Sequence, residues 1–168
     1  EAYHEYVTHP NYRSMIELVK EGHNILVSRT ASKVHGLAGL RVGFAITTPE
    51  IAKRLESYLT DSLNIVGLRA AIASYQDKRF QAYSIEQNNR AKKIITNHLD
   101  SKGIEYLDSQ TNFIFIKTGM DINEFQPAME KNGVIVGRPF PPYNTWCRLS
   151  MAKPEEMGRF IEGFDALL

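Results

Sequence analysis

Cysteine is almost missing from this chain: Cys147 is the single one in 168 residues. An internal disulfide and a cysteine-based zinc site are therefore excluded, a pattern that fits a reducing compartment. Long apolar runs are missing too. No stretch approaches the roughly 20 residues a membrane helix needs, and nothing at the start reads as a signal peptide, so a soluble, cytoplasmic protein is expected. Charge of one sign is not in excess, since 20 Lys and Arg face 19 Asp and Glu for a net charge of +1. That balance lacks the electrostatic footprint of a nucleic-acid or anionic-membrane binder. His4, His9 and His23 stand at no metal-ligand spacing with an acidic partner, so they are expected to be surface or locally bonded histidines. There is no internal repeat and no low-complexity tract. What remains is an ordinary globular composition, 43% apolar and 23% charged, enough for one domain or two small ones.

The stretch that concentrates chemistry is Ser28-Arg29-Thr30-Ala31-Ser32-Lys33-Val34-His35-Gly36-Leu37-Ala38-Gly39-Leu40-Arg41-Val42-Gly43-Phe44-Ala45. Apolar runs at 23–27 and 42–46 flank its centre, so it reads as a hydroxyl-rich and glycine-rich turn between two buried strands. Lys33 offers a nucleophilic amine. Thr30, Ser32 and Arg41 suit a phosphate, the arginine through two nitrogens at once. Arg41 sits between Leu40 and Val42, an apolar setting in which a guanidinium without a partner would be costly. Gly36, Gly39 and Gly43 fit a loop that turns tightly and lets backbone approach a ligand. A free lysine has a pKa of about 10.4, so a reactive one must be desolvated or set among cations.

Thr-x-Ser-Lys followed by Gly-Leu-Ala-Gly-Leu-Arg-x-Gly resembles the cofactor-lysine segment of the fold-type I, pyridoxal-phosphate-dependent aminotransferases, in particular their histidinol-phosphate aminotransferase-like branch. The resemblance implies that Lys33 carries pyridoxal 5'-phosphate as a Schiff base and that Thr30, Ser32 and Arg41 hold its phosphate. It implies that Tyr3 hydrogen-bonds the cofactor's phenolic oxygen, in a Glu-Ala-Tyr run whose family counterpart begins one residue earlier with an Asp for the pyridine nitrogen. Near the other end, Thr145-Trp146-Cys147-Arg148-Leu149-Ser150 resembles the family's Arg-x-Ser motif, which makes Arg148 the residue for the substrate carboxylate. The proline-rich loop 137–143 could present Arg138 or Tyr143 to a substrate side chain, while Asn112 in its Thr-Asn-Phe triplet has a fold-supporting role.

The implied fold class is α/β: residues 1–76 form the C-terminal part of the large cofactor-binding domain, and 77–168 a long linking helix with the small C-terminal domain. The implied activity is transfer of an amino group between an amino acid or amino phosphate and a 2-oxo acid, in a homodimer, by a chain matching about the C-terminal half of a complete family member. Two rivals stand beside it. One is a related fold-type I decarboxylase, and the other a non-catalytic folding or dimerisation module with exposed strand edges and apolar surface.

Periodicity supplies the remaining expectations. A helix from residue 11 carries Met15, Leu18 and Val19 on one face with Gly22 as its stop, and a strand at 23–28 follows. Thr48-Pro49-Glu50 starts a helix with Ile51, Leu55, Tyr58 and Leu59 as its buried stripe. Leu68, Ala71, Ile72 and Tyr75 mark the next. A long helix over 77–102 turns Phe80, Ser84, Ala91, Ile94, His98 and Leu99 inward, with Arg90, Lys92 and Lys93 solvated and Gly103 as its stop. Residues 112–116 read as a strand buried on both faces. Asp121 caps a helix that Pro127 should kink or shorten and Gly133 should close. Strands are expected at 134–136 and 146–151. Pro154 opens a last helix with Met157, Phe160, Ile161, Phe164 and Leu168 in one stripe.

Overall fold

The structure is a computed structural model that describes residues 1–60 and 62–168. It divides into two compact units, Glu1–Ile85 and Glu86–Leu168, the division falling inside the long helix.

In the first unit, helix α1 (Ile16–Lys20) precedes strand β1 (Val27–Thr30), which pairs antiparallel with β2 (Gly43–Ile46) in the register Thr30↔Gly43. The lysine segment is thus the closed end of a long hairpin. Helices α2 (Pro49–Glu56) and α3 (Ile65–Gln76) follow, and α4 (Lys78–Lys102) begins here. Asn64 caps α3 by accepting from the Gly67 N–H at 3.0 Å, and Asp77 caps α4 by accepting from the Phe80 N–H at 2.9 Å. A small core forms from Ala31, Val42 and Ala71, with Leu37, Leu40, Leu68 and Tyr75 packed against it. Gly67 makes this fit possible: a Cβ there would meet the Val42 side chain at 2.8 Å.

Several expectations for this unit are corrected. The first helix is only five residues long, and of its apolar face Val19 is buried while Met15 is 42% exposed. Strand β1 begins at Val27 rather than at residue 23, because Ile25 N–H is drawn into a local turn on the His23 carbonyl. Strand β2 is exposed along Gly43, Phe44 and Ala45, not buried, since among the described residues β1 alone pairs with it. The stripe on α2 is likewise uncovered, with Tyr58 and Leu59, just past its end, exposed by 79% and 68% and Leu55 by 42%. Thr48 precedes Pro49 in extended backbone, but its hydroxyl makes no capping bond.

The second unit is a three-stranded antiparallel sheet in the order β3 (Tyr106–Leu107), β4 (Phe113–Lys117), β5 (Trp146–Ser150), with helices α5 (Ile122–Lys131) and α6 (Met157–Asp165). Ile114 and Ile116 of β4, Cys147 and Leu149 of β5, Ile95 and Leu99 of α4, Phe125 and Met129 of α5, and Phe160 and Phe164 of α6 enter one core. Each fully buried large side chain here contributes roughly 1.5–3 kcal/mol. Phe164 orders its aromatic part, edge-on to Phe125 at 5.8 Å and stacked on Phe160 at 5.4 Å.

Here too the structure corrects details. The buried stripe of α4 is Asn88, Ala91, Ile95 and Leu99, so Ile95 rather than Ile94 faces inward, and Phe80 is 40% exposed. Lys92 is not simply solvated: its Nζ donates to the Ser109 carbonyl at 2.7 Å, and desolvation lowers its pKa despite the nearby Asp108. Strand β4 buries one face only, Phe113 and Phe115 being half-buried on the other. Helix α5 continues through Pro127 to Lys131. Residues 134–136 alternate inward and outward like a strand, with Ile135 87% exposed, but form no ladder. One bond, Gly137 N–H to the Arg148 carbonyl at 3.3 Å, ties this segment to β5, and the prolines at 139, 141 and 142 cannot extend it. In the last helix Leu168 is 65% exposed, while Met157, Phe160 and Phe164 are buried. Gly22, Gly103 and Gly133 do end their helices, with φ of 85°, 66° and 77°.

Candidate functional site

In the first unit the lysine loop is pinned at both ends. The Ala31 N–H donates to the Val42 carbonyl at 3.0 Å and the Leu37 N–H to the Ala31 carbonyl at 3.0 Å. The turn that carries Lys33 closes through Gly36, whose N–H donates to the Lys33 carbonyl at 2.9 Å and whose φ of 69° a residue with a side chain would resist. Lys33 Nζ lies 5.1 Å from the centre of the Tyr3 ring, within cation–π range. Tyr3 reaches it from the start of the chain, beside the 3-10 turn His4–Tyr6. The Thr30 and Ser32 hydroxyls are 2.8 Å apart, and the Ser32 N–H donates to Thr30 Oγ1 at 3.1 Å. Amine and aromatic ring thus meet at one point and the paired hydroxyls at another, and Lys33, Thr30 and Ser32 belong to the same loop.

Arg41 behaves differently from expectation. It is exposed, it occupies the left-handed region with φ 54° at the end of the 3-10 turn Ala38–Leu40, and its guanidinium donates to the Ala38 carbonyl at 2.8 Å. Water therefore reaches this arginine, and its guanidinium carries no desolvation cost that a ligand must offset. Its charge still stands on the lysine loop, two residues before the strand that pairs with Thr30.

Two supporting clusters escape a sequence reading. Glu1 accepts from the Met15 N–H at 2.7 Å, from Ser14 Oγ at 2.9 Å and from Arg29 Nη2 at 2.9 Å. Burial raises the Glu1 pKa, but the Met15 amide, Arg29 and Ser14 outweigh it and hold the carboxyl below its ordinary value. This network fixes the segment bearing Tyr3 to β1. Buried His35 lies against Tyr75, ring centres 3.8 Å apart and tilted by 34°, with Nδ1 3.1 Å from Ser74 Oγ and Nε2 3.8 Å from the Glu5 carboxylate. Burial pulls its pKa down against the opposing pull of Glu5. Tyr75 in turn donates to the Thr30 carbonyl at 3.3 Å. These partners lie 13–45 positions apart, beyond any motif; the signal available was a histidine two places past Lys33. The other histidines are locally bonded, His4 to Tyr12 at 2.9 Å, His9 to the Asn11 amide at 3.2 Å and His23 beside Glu21 at 3.4 Å.

In the second unit, strict alternation along β5 sends Cys147 and Leu149 into the core and leaves Trp146 and Arg148 on the opposite face. Arg148 lines an open cavity of about 500 Å³ together with Phe113, Phe115, Phe140 and Tyr143. Its guanidinium carbon is 5.2 Å from both the Phe113 and the Phe140 ring centres, and its Nε is buried without a hydrogen-bond partner. Arg138 is exposed, stacks over Phe140 at 4.2 Å and bonds the Pro139 carbonyl at 3.2 Å, outside the cavity wall.

Residues 1–164 match the family aminotransferase class I and II. The chain belongs to that family. Among its curated relatives, histidinol-phosphate aminotransferase 2 of Hydrogenovibrio crunogenus is 32% identical over 172 residues, covering 100% of this chain and 46% of that protein. Among solved structures, a provisionally assigned histidinol-phosphate aminotransferase of Erwinia carotovora atroseptica superposes with a TM-score of 0.94 at 34% identity, over 99% of this chain and 49% of that one. The histidinol-phosphate aminotransferase of Sinorhizobium meliloti, solved in complex with pyridoxal-5'-phosphate, gives 0.85 at 26% identity over 100% of this chain and 48% of that one. The chain spans about half the length of the curated relatives it matches. The α/β fold of this aminotransferase family is the fold read from the lysine motif.

Proposed function

We propose that this chain carries the cofactor-lysine and substrate-carboxylate parts of a pyridoxal-phosphate-dependent aminotransferase acting on amino acids or amino phosphates and 2-oxo acids. The observation that carries this is the Lys33 amine held 5.1 Å from the Tyr3 ring on a loop whose Thr30 and Ser32 hydroxyls are joined at 2.8 Å. An amine, a pair of hydroxyl donors and an exposed guanidinium on one loop fit a phosphorylated aldehyde. Curated relatives at 32% and 33% identity are aminotransferases, which favours amino transfer over decarboxylation.

In this reading residues 1–76 are the C-terminal part of the cofactor-binding domain and 77–168 the linking helix and small domain, in a cytoplasmic homodimer. Bound pyridoxal phosphate supplies an electrophilic carbonyl and a ring that accepts electrons. Lys33 Nζ would hold the group and would serve as the base for the proton at the substrate's α-carbon. Thr30 and Ser32 would hold the phosphate through their hydroxyls and Arg41 through its charge. Tyr3 would hold the ring oxygen. Arg148 receives the substrate carboxylate, with Arg138 near the far end of the substrate.

A titration of the chain with pyridoxal phosphate, followed by visible absorbance, tests this. A saturable band that disappears in Lys33→Ala and shifts when an amino acid is added is the expected result. Equal absorbance in Lys33→Ala overturns it.

A further inference from the structure

Resting on the reading of Lys33 as the reacting amine, the geometry around its loop assigns a task to His35. We infer that His35 is a positioning residue: protonation at its Nε2 locks it onto Glu5 and resets the turn bearing Tyr3 against the turn bearing Lys33. All of these residues belong to the first unit.

His35 is enclosed. Its side chain is wholly buried, its ring centre lies 3.8 Å from that of Tyr75, and its Nδ1 is 3.1 Å from Ser74 Oγ. The Ser74 hydroxyl has one hydrogen, and it goes to the His35 carbonyl at 3.5 Å. Nδ1 is therefore the ring nitrogen that donates to Ser74, and in the neutral ring Nε2 is left as a bare acceptor. Among the described residues Nε2 has no hydrogen-bond partner, and the Glu5 carboxylate stands 3.8 Å from it. Two acceptors opposed where water is excluded are costly. One proton on Nε2 turns that opposition into a charge-assisted bond and leaves neither ring nitrogen unpaired.

The contact bears on Lys33 from two directions. His35 stands inside the turn that the Gly36 N–H closes on the Lys33 carbonyl at 2.9 Å, so a tilt of the ring moves the backbone carrying the amine. Tyr75, held against the same ring, donates to the Thr30 carbonyl at 3.3 Å. Glu5 belongs to the 3-10 turn His4–Tyr6, which Tyr3 opens by accepting from the Tyr6 N–H at 3.0 Å. The Tyr3 ring stands 5.1 Å from Lys33 Nζ. Closing the gap between Nε2 and Glu5 thus shortens the link between the two turns and resets ring and amine together.

The groups acting on the imidazole come from each element packed against it. Burial is the largest influence and disfavours the charged ring. Glu5 of the 3-10 turn and Ser74 of α3 favour it, and Lys78 at the start of α4 opposes it. Tyr75 of α3 is the titratable group against the ring face, and Lys33 on the same loop turns its amine to Tyr3. The balance lowers the pKa from its ordinary value of 6.5, so the contact closes as the pH falls below that value and opens as it rises.

The test uses the whole 168-residue chain without cofactor, its histidine and tyrosine rings isotope-labelled, so that it stands apart from the chemistry at Lys33. Ring resonances of His35 and Tyr3 are followed between about pH 8 and pH 5. A Tyr3 step at the midpoint of the His35 titration is expected. In Glu5→Gln that midpoint should fall and the Tyr3 step should vanish. The step should vanish too in His35→Phe, which keeps a ring against Tyr75 but has no nitrogen. Trinitrobenzenesulfonate labelling of Lys33, relative to exposed Lys20, should change at least twofold over the same range in the parent chain and stay level in both variants. Should His35→Phe fail to fold, Glu5→Gln decides alone. A Tyr3 step that persists in Glu5→Gln traces to its neighbour His4 and overturns the inference. So does a His35 that takes up no second proton in this range, or one whose titration leaves Tyr3 and Lys33 unmoved. Failure of the aminotransferase reading registers separately, as pyridoxal-phosphate absorbance that does not depend on Lys33.

Discussion

The two units of this chain differ in what holds them together. Glu86–Leu168 packs strands and helices around a continuous core in which Ile95, Leu99, Ile116, Phe125, Met129 and Cys147 are wholly excluded from water. Among its described residues, Glu1–Ile85 gathers Ala31, Val42 and Ala71 into one small cluster, buries Tyr6, Val19, Val27 and Val34 outside it, and leaves Tyr58, Leu59, Leu63, Ile65 and Val66 more than half exposed. Yet the thinly packed unit holds Lys33, and it holds the loop mainly by polar bonds. A hairpin closed by hydrogen bonds can present an amine and hydroxyls outward; a close-packed core would bury them.

The largest effect should come from the dense core. Phe125→Ala removes a ring packed edge-on to Phe164 and should cost about 3–5 kcal/mol, read as a lowered urea midpoint. A cost near zero would break the contrast at once. In the other unit, Arg29→Ala leaves the Glu1 carboxylate without its charged partner and should cost about 3 kcal/mol, read as loss of cooperative unfolding in 1–85. Because the Glu1 pKa is lowered in the folded chain, this contribution is present above its ordinary value of 4.5 and fades as the pH falls further. Arg29→Ala should therefore flatten the acid limb of the stability profile.

How much of this was legible in advance follows the same division. The lysine loop lies in one continuous stretch, so its resemblance to the aminotransferase lysine segment singled out Thr30, Ser32, Lys33 and Arg41, and alternation in 146–150 gave the faces of Arg148 and Cys147 correctly. Helix stops at Gly22, Gly103 and Gly133 were legible because positive φ is a local demand. Burial was not. An apolar stripe such as Ile51, Leu55, Tyr58 and Leu59 states that a helix can cover something, not that a partner is present. The Glu1, Ser14 and Arg29 network and the His35, Tyr75 and Glu5 cluster join residues far apart in sequence, which no periodicity reports. The Val-Ile-Val run at 134–136 has strand propensity but lacks ladder bonds, since the following prolines offer no donors.

Smaller effects sharpen the comparison. Gly137→Ala forces a Cβ to within 2.6 Å of the Arg148 carbonyl and should cost about 1–3 kcal/mol, read by thermal unfolding. Burial pushes the Cys147 thiol up to about 12, so the protonated form is favoured by folding. Its contribution is complete below about 9 and is lost as the pH climbs toward 12. Thiol labelling at pH 8 should accordingly proceed only as fast as the second unit opens, and immediate labelling would contradict its burial. Smallest of all, Leu59→Ser on the uncovered side should change stability by no more than about 0.5 kcal/mol, and a large loss would mean that this face is covered in solution.

The most direct test of the central claim is covalent. The chain is incubated with pyridoxal phosphate, reduced with borohydride, digested, and the modified lysine located by mass. Modification at Lys33 alone, abolished by Lys33→Ala, is the predicted result. Labelling scattered over the chain's other lysines, or absent from Lys33, would contradict the account.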